Sequence, residues 1–283
     1  MEARRISRKK RREIFHQVMI HAVLIIVSLV FIVPFLWMFL SSFKPALEII
    51  RIPPTFIPEK FTIKNYETIF ERLQFWRYFI NSITVSVAVT MIAMFTSSLA
   101  GFVFTKFDFP GRDVIFIFFL AGLMIPFAVI VLPMYLFVSK LGMQNTYLGL
   151  ILPICVSPFG IFLVRQFMEG IPMELIEAAR IDGASNLWIY FRIMIPLSSA
   201  GIGGVGVFTF LWTWNQLWWP LMIISNQNMR TLPLGIAALT FQHAKRYDMI
   251  VTGASIAIIP VIFVFAFAQR RLIRGVTLTG MKV

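Results

Sequence analysis

Long apolar stretches alternate with short polar segments along the whole chain. Six stretches contain no Asp, Glu, Lys or Arg, and they cover residues 14–43, 78–105, 114–139, 141–164, 193–229 and 249–269. Each has at least 21 residues, whereas about 20 residues of helix cross the roughly 30 Å of bilayer hydrocarbon. The pattern predicts an all-α integral membrane protein with six transmembrane helices, and it excludes a sizeable soluble domain.

The connections between these stretches are short, and most contain turn residues. An external loop is predicted over residues 44–77, with a short helix from about residue 65, and tight turns are predicted at Pro110-Gly111 and over residues 142–146. The third and fourth stretches contain four prolines: Pro126, Pro133, Pro153 and Pro158. Such helices often line a path, where a cavity satisfies the freed carbonyls. Alternatively, proline is simply commoner in membrane helices than in soluble ones.

The composition agrees with a membrane protein, and the charges give its orientation. The 283 residues are 58% apolar and 14% charged. A net charge of +13 would indicate nucleic-acid binding in a soluble chain, but here Lys and Arg flank the apolar stretches and can contact lipid headgroups. With the N-terminus inside, the inner segments carry 16 Lys and Arg and the outer segments carry 10. The basic tail 1–13 and the tail 270–283 are therefore both predicted to be cytoplasmic.

No enzyme active site and no metal site can be identified in the sequence. Cys155 is the single cysteine, and the three histidines are scattered, so neither a nucleophile with its base nor a metal cluster is predicted. The phosphate-binding pattern G-x-x-x-x-G-K-[ST] is absent, so we expect ATP-driven work to need another subunit. Within the six stretches only His16 and His21 can carry charge near neutral pH, which disfavours an ion-coupled carrier.

The longest inner connection, residues 165–192, predicts a short helix with defined ends. Pro172 favours a helix start and Gly183 favours a stop. Ser185 can then cap a second helix that leads into the fifth stretch.

The surface of this predicted helix favours contact with a protein. Glu174 and Glu177 complement the helix dipole in the first turns. Four residues recur at helical spacing: Leu175, Ala178, Ala179 and Asp182. The paired alanines would let another surface approach the backbone. A helix resting on the membrane is the alternative, but such helices carry large apolar residues opposite Lys and Arg.

The order of residues in this connection resembles a known motif. Glu177-Ala178-Ala179 is followed by Gly183 and Ile195-Pro196 at the spacing of the EAA loop of binding-protein-dependent ABC importer permeases, in which Leu is usual at the position of Ile195. Pro34-Phe35-Leu36-Trp37 and Thr231-Leu232-Pro233-Leu234-Gly235 are further matches. The chain resembles the maltose-type carbohydrate importers, and within them the subunit type of the maltose G permease.

This resemblance implies a type I permease core over residues 78–269, with the first helix, 14–43, packed on a partner. It implies an importer in the cytoplasmic membrane of a prokaryote, built from two homologous permeases and two ATPase subunits and supplied by an extracytoplasmic solute-binding protein. ATP and Mg would be used by the ATPase subunits, with no cofactor on this chain. The residues implied to couple it to an ATPase subunit are Glu174, Glu177, Ala178, Ala179, Asp182 and Gly183.

The class of solute stays open at this point. Few cationic residues lie in the apolar stretches, so a neutral sugar or oligosaccharide is preferred, with glycerol phosphate or another polyol as the alternative. A secondary carrier, a channel or a membrane scaffold are rival classes. None of them explains the Glu-Ala-Ala connection.

The fifth stretch contains a tryptophan-rich segment, in which residues 211–219 include four tryptophans. Indole faces can stack on sugar rings while amides give directional hydrogen bonds, so Trp214, Asn215 and Gln216 are predicted to line the substrate path. The alternative is an aromatic belt at the membrane interface or helix packing, which is favoured for Trp218 and Trp219.

An external loop is predicted over residues 230–248. The resemblance implies that it enters the cleft of the solute-binding protein, with Leu234, Gly235, Phe241 and Gln242 as contact residues. The alternative is a re-entrant loop or one packed on the protein surface.

Overall fold

The computed structural model describes residues 2–72, 74–242 and 246–279, with side chains described in 14–71, 74–239 and 246–269. Within these residues the chain is entirely helical, as the apolar pattern predicts, and no strand is present. Spatial proximity divides the chain into two compact units at residues 72, 238 and 256. The first unit holds the N-terminal segment together with residues 239–256, and the second holds the remainder.

The helices follow the apolar stretches closely. The first half of the chain contains α1 (Glu2–Ser41), α2 (Ala46–Ile49), α3 (Lys64–Arg72), α4 (Phe75–Lys106), α5 (Arg112–Met124), α6 (Phe127–Lys140) and α7 (Tyr147–Ile151). The second half contains α8 (Pro158–Glu169), α9 (Glu174–Ile181), α10 (Asn186–Ile189), α11 (Ile195–Leu197), α12 (Ser199–Trp214), α13 (Trp218–Ile223), α14 (Leu232–Gln242) and α15 (Tyr247–Thr279). A wider π-type turn, Tyr190–Met194, joins α10 to α11.

Among the described residues, three helices are long and apolar enough to cross a membrane unaided: Ile14–Ser41 of α1, all of α4, and Tyr247–Gln269 of α15. The third, fourth and fifth apolar stretches are instead broken helices. The axis bends by 106° between α5 and α6, by 47° before α8 and by 75° before α12. If each bent pair is one span, the number of spans rises to six.

Each break has a local cause in the sequence. Pro126 begins α6 and cannot donate a backbone hydrogen bond to the turn before it, so α5 ends at Met124. Ser157 caps α8 through the backbone N–H of Gly160, and Pro158 takes the first helical position. Before α12, the Ser198 hydroxyl donates to the Met194 carbonyl. Pro133, by contrast, is accommodated inside α6.

The core of the second unit forms where α8 and α12 pack against α4. Val89 and Ala93 of α4 are fully buried. The close approach depends on small residues, because a side chain at Gly101 would meet Val164 and one at Gly160 would meet Ser97. Small residues at helix contacts are typical of packing within membranes.

The predicted external loop is a compact structure in the first unit. The Glu48 carboxylate accepts hydrogen bonds from the backbone N–H groups of Glu59 and Lys60 and from the Thr55 hydroxyl. Burial alone would raise the pKa of Glu48, but these hydrogen bonds and the Lys44 charge outweigh burial and hold the pKa below its ordinary value. The short helix predicted from residue 65 is present as α3.

Both predicted turns are present. Gly111 adopts the left-handed conformation with φ of 81° directly before α5. Between α6 and α7, Gly142 and Asn145 also have positive φ, at 66° and 54°. Glycine and asparagine are the residues that adopt this conformation at the least cost, so the presence of these residues was enough to predict both turns.

Candidate functional site

The predicted helix in the inner connection is present as α9. Glu174 and Glu177 lie in its first turn, and Gly183 ends it with φ of 80°. The Ala184 backbone N–H closes the end by donating to the Ala179 carbonyl at 2.9 Å. Ser185 caps α10 as predicted, accepting from the Trp188 backbone N–H at 3.2 Å.

The two alanines of α9 do not share a surface. Ala178 is exposed, whereas Ala179 is only 9% exposed and faces the protein interior. Adjacent helical residues are about 100° apart around the axis, so neighbouring alanines must point in different directions. The predicted face containing both alanines is therefore wrong. The other four predicted coupling residues, Glu174, Glu177, Asp182 and Gly183, are exposed.

The inner face of α9 is part of a large apolar core. Ile176 and Ala179 pack in one cluster with residues of α4, α8, the π-type turn and α12: Phe102, Val164, Met168, Tyr190, Met194, Ile202 and Val205. The inner face of α9 therefore shares one close-packed core with α4, α8 and α12.

Polar contacts join the same elements. The Lys106 ammonium, at the end of α4, donates to the Ile171 carbonyl at 2.6 Å, just before α9 begins. The Ser98 and Tyr190 hydroxyls are 2.6 Å apart, and both residues are buried. The Arg165 guanidinium lies 3.9 Å from the centre of the Phe116 ring. These contacts were not predictable from the sequence, because a basic residue at a span end equally fits headgroup binding.

The outer side of α9 and α10 exposes large apolar side chains. Leu175 and Ile181 flank Ala178 with 47% and 87% exposure, and Leu187 and Trp188 continue the surface on α10. We call Leu175, Ala178, Ile181, Leu187 and Trp188 the outer α9 surface. An apolar patch of this kind marks a contact site for another protein or for lipid.

A cavity of about 490 Å³ lies where the third and fourth apolar stretches break, beside the second half of α12. Small-molecule sites typically have volumes of about 300–1,000 Å³. Residues lining the cavity include Phe127, Ser157, Phe159, Phe208, Thr209 and Trp212. Phe127 packs edge-on against Trp212 and Phe159 against Phe208, both with ring centres 5.6 Å apart. No charged side chain lines this cavity among the residues with described side chains.

The predicted path residues do not line this cavity. Trp214 is 2% exposed, stacks on Phe210 and donates its indole N–H to the Ala257 carbonyl at 3.0 Å, so it has no free face for a sugar ring. Gln216 is buried, and its side-chain carbonyl accepts from the Trp218 backbone N–H. Asn215 is exposed and donates to the Leu211 carbonyl.

Trp212, which was not predicted as a site residue, is the tryptophan that faces the cavity. Two helical positions turn the side chain by about 200°, so Trp212 and Trp214 point to opposite sides of α12. Trp218 is 65% exposed, as an interfacial residue would be, whereas Trp219 is fully buried and donates to the Gly149 carbonyl. The helical period places Trp212 and Trp214 on opposite sides of α12. Because α12 is apolar all round, however, no polar face indicates which of the two sides points to the cavity.

The segment predicted as an external loop over residues 230–248 is mostly helix α14. Leu234 is 5% exposed, and the Tyr78 ring fills the space beside Gly235, so neither residue is available to a second protein. The Ser82 hydroxyl accepts from the Leu232 backbone N–H at 2.7 Å and fixes the start of the helix. The loop prediction is therefore wrong, and the packed alternative describes this segment. The side chains of Phe241 and Gln242 lie outside the described residues.

Metal ligands are not grouped in the part of the chain with described side chains. No three His, Cys, Asp or Glu residues there could hold one ion. The structure therefore identifies two candidate functional sites, the outer α9 surface and the cavity.

Comparison with known proteins gives the family. Residues 93–278 match the sequence family described as "Binding-protein-dependent transport system inner membrane component". The arabinooligosaccharides transport system permease protein AraQ of Halalkalibacterium halodurans is 36% identical, covering 90% of this chain and 93% of that protein. The diacetylchitobiose uptake system permease protein NgcG of Streptomyces coelicolor is 32% identical, covering 91% and 86%.

A solved structure shares the fold. A bacterial ABC transporter involved in the import of the acidic polysaccharide alginate has a chain that matches with a TM-score of 0.77 at 20% identity, covering 92% of this chain and 97% of that chain. The family match and the similarity to AraQ along nine-tenths of the chain confirm the resemblance that began with the Glu-Ala-Ala motif. This chain belongs to the binding-protein-dependent transport system inner membrane components and is a carbohydrate ABC importer permease of the maltose type.

Proposed function

We propose that this permease moves an oligosaccharide inward across the cytoplasmic membrane and is driven through α9 by a separate ATPase subunit. The observation that carries the proposal is the two-sided character of α9. Its inner face belongs to the core of three spans, and its outer face exposes Leu175 and Ile181 beside the small Ala178.

This arrangement suits the transmission of force. An ATPase subunit that seats the outer α9 surface in a groove would displace α9 when the ATPase dimer closes on ATP and Mg. Because the inner face of α9 is packed against α4, α8 and α12, the displacement is passed to the spans as a rigid-body movement. Glu174, Glu177, Asp182 and Gly183 lie on exposed positions around this contact and complete the proposed coupling site.

The proposed topology has six spans, with α5–α6, α7–α8 and α10–α12 each serving as one broken span. An even number of crossings returns both termini to the same side. The excess of Lys and Arg in the inner segments then places both tails in the cytoplasm. This orientation puts α9 on the side where ATP is available.

The proposed path for the sugar is the cavity at the helix breaks. Trp212 and Phe159 offer aromatic faces for the apolar faces of sugar rings, and Ser157 and Thr209 offer hydroxyls. The uncharged lining favours a neutral sugar over a phosphorylated polyol. The names of the relatives, which refer to arabinooligosaccharides and diacetylchitobiose, support an oligosaccharide as the solute.

The proposed assembly contains a homologous permease, two ATPase subunits and an extracytoplasmic solute-binding protein, since the family is described as binding-protein-dependent. Affinity purification of the tagged full-length chain from its native membrane tests this assembly. We expect a second permease and two copies of an ATPase subunit to be retained on the column. A chain that is isolated in active form without any ATPase would instead indicate a secondary carrier or channel.

A further inference from the structure

A second, much smaller cavity lies within the second unit, close to the cavity of about 490 Å³ described above. It has a volume of about 10 Å³ and lies between α4, the turn after α7, the break between α12 and α13, and the start of α14. Its polar lining residues are Ser82, Ser86, Thr213, Gln216 and Thr231. Ile154 lines both cavities and separates them.

Two buried hydroxyls in this lining have no hydrogen-bond partner among the residues that the structure describes. They are the Oγ1 atoms of Thr213 and Thr231, in residues that are 6% and 4% exposed. An unpaired buried hydroxyl costs free energy, and such groups in folded proteins normally bond to protein or to ordered water. Thr213 lies one residue before the end of α12, and Thr231 lies one residue before α14.

The cavity has the size and chemistry to satisfy both groups. A volume of about 10 Å³ is roughly that needed to hold one water molecule, which typically makes two to four hydrogen bonds when buried. Ser82 already accepts from the Leu232 backbone N–H and retains its own hydrogen for donation. No carboxylate lines the cavity among the described residues, whereas cation sites are usually built with carboxylate ligands.

We propose that this cavity is a specific binding site for one ordered water molecule, held by the hydroxyls of Thr213 and Thr231. The water links the end of α12 to the start of α14, beside the break between α12 and α13. Ile154, which lines this site, also lines the larger cavity. The site does not depend on the proposed coupling or on the identity of the sugar.

Replacement of each threonine by valine tests the proposal, because the direction of the change in unfolding temperature differs between a cavity that holds water and a dry one. Valine keeps the shape of threonine and removes the hydroxyl. With water bound, we expect Thr213→Val and Thr231→Val each to lower the unfolding temperature of the full-length chain by about 2–4 °C. The double variant should lose less than the sum, because both changes remove bonds to the same water. A dry cavity would give unchanged or raised unfolding temperatures and would overturn the proposal.

Thr90→Val in α4 is the matched control. Its Oγ1 also lacks a partner, but Thr90 does not line the cavity, so we expect no loss of stability. If all three variants lower the unfolding temperature equally, the effect belongs to threonine in membrane helices and the proposal fails.

Direct observation provides a second measurement that does not depend on the variants. A high-resolution map of the assembled transporter should show one density peak at about 2.7–3.0 Å from both threonine hydroxyl oxygens. No peak beside well-ordered threonines would contradict the proposal. A peak with oxygen contacts of about 2.3–2.6 Å would also contradict it, because that spacing indicates a bound cation.

Discussion

The Lys106 ammonium lies 2.6 Å from the Ile171 carbonyl oxygen, so the last residue of α4 is hydrogen-bonded to a residue just before the start of α9. Lys106 is only 9% exposed, and Glu169 and Glu174 are the carboxylates that interact with its charge. A buried charged donor aimed at a backbone carbonyl is a strong positional restraint. Together with the shared apolar core, it fixes where α9 starts relative to α4.

Replacing Lys106 should loosen the connection between α9 and the spans. We expect Lys106→Met to destabilise the chain by about 1–3 kcal/mol, because the buried Ile171 carbonyl loses its partner. In the assembled transporter, sugar uptake per ATP hydrolysed should fall while the ATPase subunits stay bound. Uptake and ATP hydrolysis measured in the same proteoliposomes give this ratio. Lys106→Arg keeps a charged donor and is the control, and an unchanged ratio in Lys106→Met would contradict the role.

The two alanines of α9 should respond differently to enlargement. Ala178→Leu adds bulk on the exposed side, so we expect normal stability and weaker retention of the ATPase subunits. Ala179→Leu adds bulk inside the core and should cost about 1–3 kcal/mol through overpacking. Thermal unfolding of the purified chain and co-purification of the ATPase separate the two effects. Equal behaviour of the two variants in both measurements would show that they share one surface after all.

The same contrast shows what the sequence could predict. The ends of α9 were predictable because Pro172, Gly183 and Ser185 act locally on the backbone. The sequence did not predict which alanine faces outward, because the rotation of α9 about its axis is set by packing against Phe102 and Val164 on distant helices. The spans were predictable from length and polarity. Their bends were not, because Pro126 breaks a helix while Pro133 is tolerated inside one.

The tryptophan-rich segment shows a second limit of the sequence. The sequence analysis predicted Trp214 as a residue of the substrate path, whereas Trp212 is the one that lines the cavity. Both sides of α12 are apolar, so no amphipathic pattern distinguishes the side that packs on Phe79 and Phe210 from the side that faces the cavity. Likewise, an external loop was predicted over residues 230–248, whereas Leu232–Gln242 forms helix α14, whose first backbone N–H is bonded by Ser82 of α4.

Replacement of Trp212 and replacement of Trp214 should therefore have different effects on sugar uptake and on stability. Trp212→Ala removes an exposed cavity residue, so we expect near-normal stability and reduced sugar uptake. Trp214→Ala removes a buried ring and should destabilise the chain by about 3–5 kcal/mol. Unfolding temperature and the concentration dependence of uptake check both. Normal uptake by a stable Trp212→Ala protein would contradict the proposal that the sugar passes through this cavity.

Glu48 should make the first unit sensitive to acid. Its pKa is below the ordinary value of 4.5 in the folded protein, so its contribution to stability is fully present above that value. The contribution is lost as the pH falls through the lower folded pKa, because protonation removes the negative charge that strengthens the hydrogen bonds from the Glu59 and Lys60 backbone N–H groups. We expect the difference in unfolding temperature between wild type and Glu48→Gln to be largest near neutral pH and to shrink in acid. A constant difference across this range would contradict the assignment.

Sugar uptake by reconstituted proteoliposomes tests the central proposal, that a separate ATPase drives the permease through α9. Uptake should require the partner permease, the ATPase subunits, the loaded binding protein and ATP together, and Ala178→Leu should reduce it while leaving the permease folded. Uptake by the purified chain alone, down a sugar gradient and without nucleotide, would contradict the proposal.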